Sequence, residues 1–318
     1  MNSVSTVHPH ALRYAERGVS QNVIQRILVI VDPAAEAHPC IEKAARLAMS
    51  FGSTIELLVC DVAQEIPDNV AGSTTTAQFR DLMREGRVAA LELLAAPLRL
   101  RGVSITTTSH WCAQLDVGIV EHAIRSSADL VVKDASAVAE TDWSLIRQIP
   151  MPLLLVRPGE WQNHPRIAVS VDPCHLADRP VALDEAIVAM GSCLGRALAG
   201  DVQILHVLES PPHLPGEPIT SQARDEARGQ QRSAVERLAD RINLAHEAVT
   251  YIEKAVPEGI VELVDLSQSD ILVIGSAGRP RFRQRAASTS GWVLAHASCD
   301  VLVMKPSGFV SPVLISDG

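Results

Sequence analysis

No stretch of the sequence approaches the ~18 consecutive apolar residues that a membrane span requires, and residues 1–21 are too polar to resemble a secretory leader. A cytoplasmic protein is expected. The six cysteines include no CxxC pair. Cys40, Cys60, Cys112, Cys174, Cys193 and Cys299 lie mostly in or beside apolar runs, as small buried hydrophobes do, and the spacing gives no metal site. An excess of positive charge is also missing. With a formal net charge of -9 the surface as a whole repels nucleic acid and acidic membranes, so any anion site must be a local basic patch. Finally, GxSxG is absent and no orienting acid accompanies Ser288 and His296, which removes the usual serine-hydrolase reading. His110, Trp111 and Cys112 form a conspicuous triplet, but no second metal-like cluster joins them in sequence, and a core or partly exposed aromatic is the simpler reading.

What the chain does have is apolar content, 47% over 318 residues, enough to bury a large core and to form about two domains. Residues 1–21 lack periodicity and read as a loose arm. Arg26-Ile-Leu-Val-Ile-Val-Asp32 reads as a strand ending at an acid, and residues 39–51 as a helix closed by Gly52. Strands over 54–60, 103–108, 129–132 and 153–156 then alternate with helices over 77–100, 118–126 and 143–148, where Trp143 packs its helix on the sheet. The order then repeats. Arg166-Ile-Ala-Val-Ser-Val-Asp172-Pro173 echoes Arg26-Ile-Leu-Val-Ile-Val-Asp32-Pro33, and Ser269-Asp-Ile-Leu-Val-Ile274 echoes Ala128-Asp-Leu-Val-Val-Lys133. Residues 202–208, 224–246, 248–253 and 258–267 complete the second copy. A repeat this long is a duplicated domain rather than a solenoid. The predicted layout is an arm over 1–21, one α/β domain over 22–158, a short linker around Pro158-Gly159-Glu160, a second domain over 165–306 and a tail over 307–318. Each domain is expected to wind a five-stranded parallel sheet with helices on both faces.

The chemistry concentrates between Asp270 and Lys305. Four apolar residues from Ile271 run into Gly275 and Gly278, a buried strand that ends in a glycine turn. A parallel sheet places its ligands there. A helix over 290–297 follows, and a helix start facing a glycine turn offers free N–H groups to an anion such as phosphate. Arg279, Arg281, Arg283 and Arg285 alternate along the intervening loop. Guanidinium groups pair phosphate oxygens, but a solvated loop or a docking surface for an acidic partner fits the same pattern. In the first copy the corresponding turn is Lys133-Asp134-Ala135-Ser136, with an acid where phosphate would lie. Asp32 and Asp172 have a simpler reading as turn acids that accept backbone N–H groups, and Val207 as a core valine.

These residues resemble the universal stress protein family in its tandem form over about 26–306. The markers are the Val-Asp strand ends, Leu205-His-Val-Leu208, Gly275-Ser-Ala-Gly278, His296-Ala-Ser-Cys299, and Thr141-Asp-Trp143 followed by Leu145-Ile-Arg147. The resemblance implies two such α/β domains of adenine nucleotide alpha hydrolase-like fold paired as an intrachain pseudo-dimer through the strands over 153–156 and 301–304, with further homodimerisation open. It implies a non-enzymatic stress-response protein with a site for an adenine nucleotide, ATP or AMP, or another phosphorylated ligand. Carried over residue by residue, Asp172 and Val207 hold the nucleoside, while Gly275 and Gly278 face the phosphates; Arg279 joins them by its guanidinium chemistry rather than by the motif. The family's loop closes with Gly-Ser or Gly-Thr; here the pair reads Ala287-Ser288 or Ser288-Thr289, so the third glycine is absent and Ser288 or Thr289 supplies the hydroxyl. Only the second domain keeps the motif. Two alternatives stand beside this one: a weak ATPase, and an interaction module docking through residues 279–285 without a ligand.

Overall fold

The computed structural model describes residues 24–62, 76–135, 139–174, 181–209, 220–241, 244–245, 248–276 and 289–313. The chain divides into two compact units that meet in sequence between Glu160 and Trp161.

In the first unit, β1 (Arg26–Ile30) is apolar on both faces because it is paired on both sides, with β2 (Thr54–Val62) and with β4 (Leu130–Asp134). The strand order is β3 (Ser104–Cys112), β2, β1, β4, β5 (Leu153–Val156), every described pair parallel. α1 (Pro39–Phe51) starts on a proline, whose missing N–H costs nothing at a helix start, and ends on Gly52 at φ 69°. α2 (Thr76–Leu100), α3 (Leu115–Arg125) and α4 (Glu140–Gln148) complete it. The triplet His110-Trp111-Cys112 is the end of β3, half-buried. α4 buries Leu145 and Ile146, and Trp143 is partly buried.

The second unit repeats the plan. Its strands are β6 (Arg166–Ser170), β7 (Asp201–Val207), β8 (Val249–Ile252), β9 (Ile271–Gly275) and β10 (Asp300–Met304), in the order β10, β9, β6, β7, β8. Its helices are α5 (Val181–Leu198), α6 (Ser221–Arg241), α7 (Val256–Leu266) and α8 (Thr289–His296). The sequence pattern did not reveal α5. Its apolar residues run nearly all round, and Gly191 and Gly195 interrupt it. The glycines are there for contact: a Cβ at Gly191 would lie 2.2 Å from Val169 Cγ1, and one at Gly195 would lie 2.4 Å from Val202 Cγ2. α5 therefore rests directly on the branched side chains of β6 and β7.

The duplication extends to individual hydrogen bonds. Asp129 Oδ2 accepts the N–H groups of Gln25 and Arg26 at 2.9 and 3.0 Å, and Asp270 Oδ2 accepts that of Arg166 at 2.8 Å. One guanidinium nitrogen of Arg26 donates to Ser126 O at 2.9 Å, and its counterpart in Arg166 donates to Ser267 O at 3.2 Å. In both units an acid just before the fourth strand thus clamps the start of the first.

Candidate functional site

In the second unit the chain leaves β6 and passes to β7 on one side, then returns to β9 on the other, so the carboxyl ends of β6 and β9 flank a crevice. Such a switch point is where open α/β sheets bind ligands, because loops diverge there and leave space. A cavity of about 80 Å³ occupies it. Asp172 lies just past β6, Val207 ends β7, Gly275 ends β9 and Thr289 opens α8, and all four line this cavity. Residues far apart in sequence are thus brought together. Gly278, Arg279 and Ser288, with the arginines at 281, 283 and 285, lie outside the described residues.

Asp172 is half-buried, and its backbone N–H donates to Asp184 Oδ1 at 3.2 Å, a carboxylate 1% exposed near the start of α5. α5 therefore fixes the turn that presents Asp172. Val207 is held differently. Gly259 of α7 faces it, and a Cβ there would lie 2.8 Å from Val207 Cγ2, so the helix can close over the valine only because it has no side chain at that point.

Three lining or neighbouring groups were not singled out by sequence reasoning. His206 is buried beside Val207 and shares a 2.9 Å hydrogen bond between Nδ1 and Val171 O. The sequence displayed it, as Leu205-His-Val-Leu208, but only as a family marker. Glu209 also lines the cavity, in a turn locked by Gln231, whose Oε1 accepts Glu209 N–H at 3.0 Å and whose Nε2 donates to Glu209 O at 2.9 Å. Lys305 reaches the far side of the glycine turn, its Nζ 3.4 Å from Ser276 Oγ and 4.5 Å from the Phe309 ring centre. Charge is consequently uneven. Asp172 and Glu209 are acidic, whereas the described groups that favour an anion are the first N–H groups of α8 and the ammonium of Lys305.

The first unit's counterpart is wired otherwise. Asp32 Oδ1 accepts the N–H of Ala34 at 2.9 Å, an Asx turn, as the simpler reading of that residue expected. Asp134 Oδ1 accepts Cys40 N–H at 2.8 Å at the start of α1, filling the position where a phosphate would meet the helix. Burial, then the neighbouring Asp134 charge, push the Cys40 thiol well above its ordinary range, so it stays protonated. Among the described residues no group of three or more His, Cys, Asp or Glu side chains is placed to hold a metal ion. Nor is any described helix long and apolar enough to cross a membrane.

Two successive five-stranded parallel α/β units, each with a crevice at its strand switch point, define a tandem α/β protein. Residues 164–305 of the chain match the universal stress protein family, and the chain as a whole is similar to tandem members of it. Over 312 residues it is 27% identical to Universal stress protein E of Salmonella typhi and 26% to that of Escherichia coli K12, covering 92% of this chain and 98% of each relative. Among solved structures, a functionally unknown protein from Pseudomonas aeruginosa PAO1 superposes with a TM-score of 0.71 at 20% identity, over 90% of this chain and 94% of that one. A universal stress protein from Archaeoglobus fulgidus does so with a TM-score of 0.65 at 12% identity, over 90% and 98%. At such identities the structures speak for the fold alone.

Proposed function

We propose that the protein is a non-enzymatic tandem universal stress protein that acts in the cytoplasm in stress response, and that its second unit holds an adenine nucleotide or another phosphorylated small molecule. The observation that carries the reading is the convergence of Asp172, Val207, Gly275 and Thr289 on one crevice at the β6–β9 switch point. Asp172 accepts hydroxyl donors of the sugar, and Val207 gives the base an apolar wall. Gly275 and the first N–H groups of α8 face the phosphates, with Gly278, Arg279 and Ser288 completing that side. At about 80 Å³ the cavity is smaller than typical small-molecule sites. The nucleotide must therefore open it, or place most of its mass beyond the residues named. A metal-binding cluster near Gly275, which phosphoryl hydrolysis would require, is not found among the described residues. The role of the family in stress, carried in the names of the relatives, supports the cellular part of the proposal.

Equilibrium dialysis with labelled ATP and AMP tests it. Wild type should bind one of them saturably, Asp172→Ala and Gly278→Val should weaken that binding by roughly ten-fold or more, and no variant should differ from wild type in phosphate release. Absence of saturable binding by wild type removes the nucleotide, and phosphate release that disappears in Gly278→Val would instead establish an ATPase.

A further inference from the structure

The crevice of the first unit, which lacks the glycine turn, is the larger of the two. At the carboxyl ends of β1 and β4 the structure holds a cavity of about 530 Å³, within the range of small-molecule sites. Its floor is apolar and buried: Ile30 is 5% exposed, and Ile119 and Val156 are fully buried. Its charged groups are mostly acidic. Asp32 and Glu36 stand exposed at the rim and Asp134 in the wall. The one lysine that lines it, Lys133, is committed elsewhere: its Nζ lies 2.8 Å from Oδ1 of the fully buried Asp142 and donates to Asp134 O at 2.9 Å.

Asp134 carries a second observation. One carboxylate oxygen accepts Cys40 N–H, but the other, Oδ2, is buried and has no hydrogen-bond partner among the described residues. A buried carboxylate oxygen without a donor is costly and calls for a missing water or cation. A nucleotide phosphate would meet three carboxylates here and is repelled. A neutral apolar molecule would fill the floor but leave the acids unanswered.

We propose that the first unit's crevice binds an organic amine, its aliphatic body against Ile30, Ile119 and Val156 and its ammonium among the carboxylates of Asp134, Asp32 and Glu36. An alkylamine, like a lysine side chain, is protonated at neutral pH, so it supplies positive charge to carboxylates that Lys133, paired with Asp142, leaves unanswered among the described residues, while its methylene groups leave water for the apolar floor. The inference does not depend on the nucleotide reading, since every residue it uses belongs to the first unit.

The test compares hexylamine, hexan-1-ol and hexanoate, three probes of one body and three charges, by titration calorimetry on the full-length protein at neutral pH. Hexylamine should saturate and bind at least about ten-fold more tightly than hexan-1-ol, with hexanoate weaker than either. Asp134→Asn, which keeps an oxygen for Cys40 N–H, should bring amine affinity down to that of the alcohol. Should that variant fail to fold, Glu36→Gln at the exposed rim should still reduce the preference for amine over alcohol several-fold. Equal affinity for amine and alcohol, tighter binding of hexanoate, or a folded Asp134→Asn that binds hexylamine like wild type would each overturn the proposal.

Discussion

Replacing Gly191 by alanine measures how closely α5 lies on the sheet. In a helix interior the change from glycine to alanine ordinarily stabilises by about 1 kcal/mol, since alanine loses less backbone entropy. At Gly191 the new Cβ would lie 2.2 Å from Val169 Cγ1, well inside the ~3.5–4 Å at which carbon atoms attract. Val169 cannot readily retreat. It is fully buried, β-branched and therefore stiff at χ1, and it sits on β6, which is paired on both sides. Overpacking of this kind costs ~1–3 kcal/mol, which offsets or outweighs the helix gain, so the net effect of Gly191→Ala is a loss of up to about 2 kcal/mol. Gly229, on the exposed face of α6, supplies the control. A Cβ there meets nothing within 4 Å, and Gly229→Ala should stabilise by ~0.5–1 kcal/mol. Urea unfolding followed by circular dichroism reads both as shifts in midpoint at constant slope. Val169→Ala makes room for the added methyl, so it should cost about 1 kcal/mol less in the Gly191→Ala background than in wild type. If both glycine substitutions stabilise equally, or the two changes at 169 and 191 simply add, α5 is not where the structure puts it.

Other consequences are as direct. Trp161 Nε1 donates to Asp300 Oδ2 at 2.7 Å, and Asp300 is 2% exposed. Trp161→Phe should therefore cost ~1–3 kcal/mol in the same assay, while Gln162→Ala, at an exposed neighbour, should stay within about 0.5 kcal/mol. Glu56 accepts from the Thr108 hydroxyl at 2.7 Å and lies 2.8 Å from His122 Nε2. The His122 hydrogen bond, assisted by Thr108, holds its carboxyl below the usual range against the opposing effect of burial. Because the folded-state value is the lower one, this stabilisation is present above the ordinary carboxylate pKa and is lost as the pH falls through the depressed one. Stability measured from neutral to acid pH should consequently fall less steeply in Glu56→Gln than in wild type, and an unchanged acid limb would refute the assignment. Cys174 is the exposed thiol of the six. Partial burial, then the nearby Asp172 charge, raise its pKa. It should alkylate before the buried Cys40, Cys60, Cys193 and Cys299, faster in Asp172→Asn than in wild type at a given pH. A fast phase that persists in Cys174→Ser would contradict this.

The strands and the duplication were legible because buried parallel strands are written as short apolar runs, and each run occurs twice in similar words. The bounds of α1 and β5 follow from sequence alone, since Pro39, Gly52 and the residues around Pro152 mark them. β3 runs four residues past the expected Thr108, to Cys112. His110 and Trp111 look unlike strand interior, yet they are paired with Cys60 and Asp61 of β2, which continues just as far. α5 was missed because its alternation is masked by apolar residues on most sides and by two glycines whose purpose is visible only against Val169 and Val202. Of the candidate site, Asp172, Val207, Gly275 and Thr289 could be named from the motif. The contributions of His206, Glu209 and Lys305 could not, because each depends on which strand end lies beside which. The capacity of the first crevice was equally hidden. Sequence shows that Asp134 replaces a glycine turn, but not that one of its oxygens has no hydrogen-bond partner among the described residues.

The clamps formed by Asp129 and Asp270 sit where the strands begin, whereas both crevices open where the same strands finish. Framework and chemistry are thereby kept a strand's length apart. Exchanging a glycine for an acid at one strand tip leaves the hydrogen bonds that pin the opposite tips untouched. Two copies of one scaffold are thus free to acquire opposite tastes in charge without either having to be rebuilt.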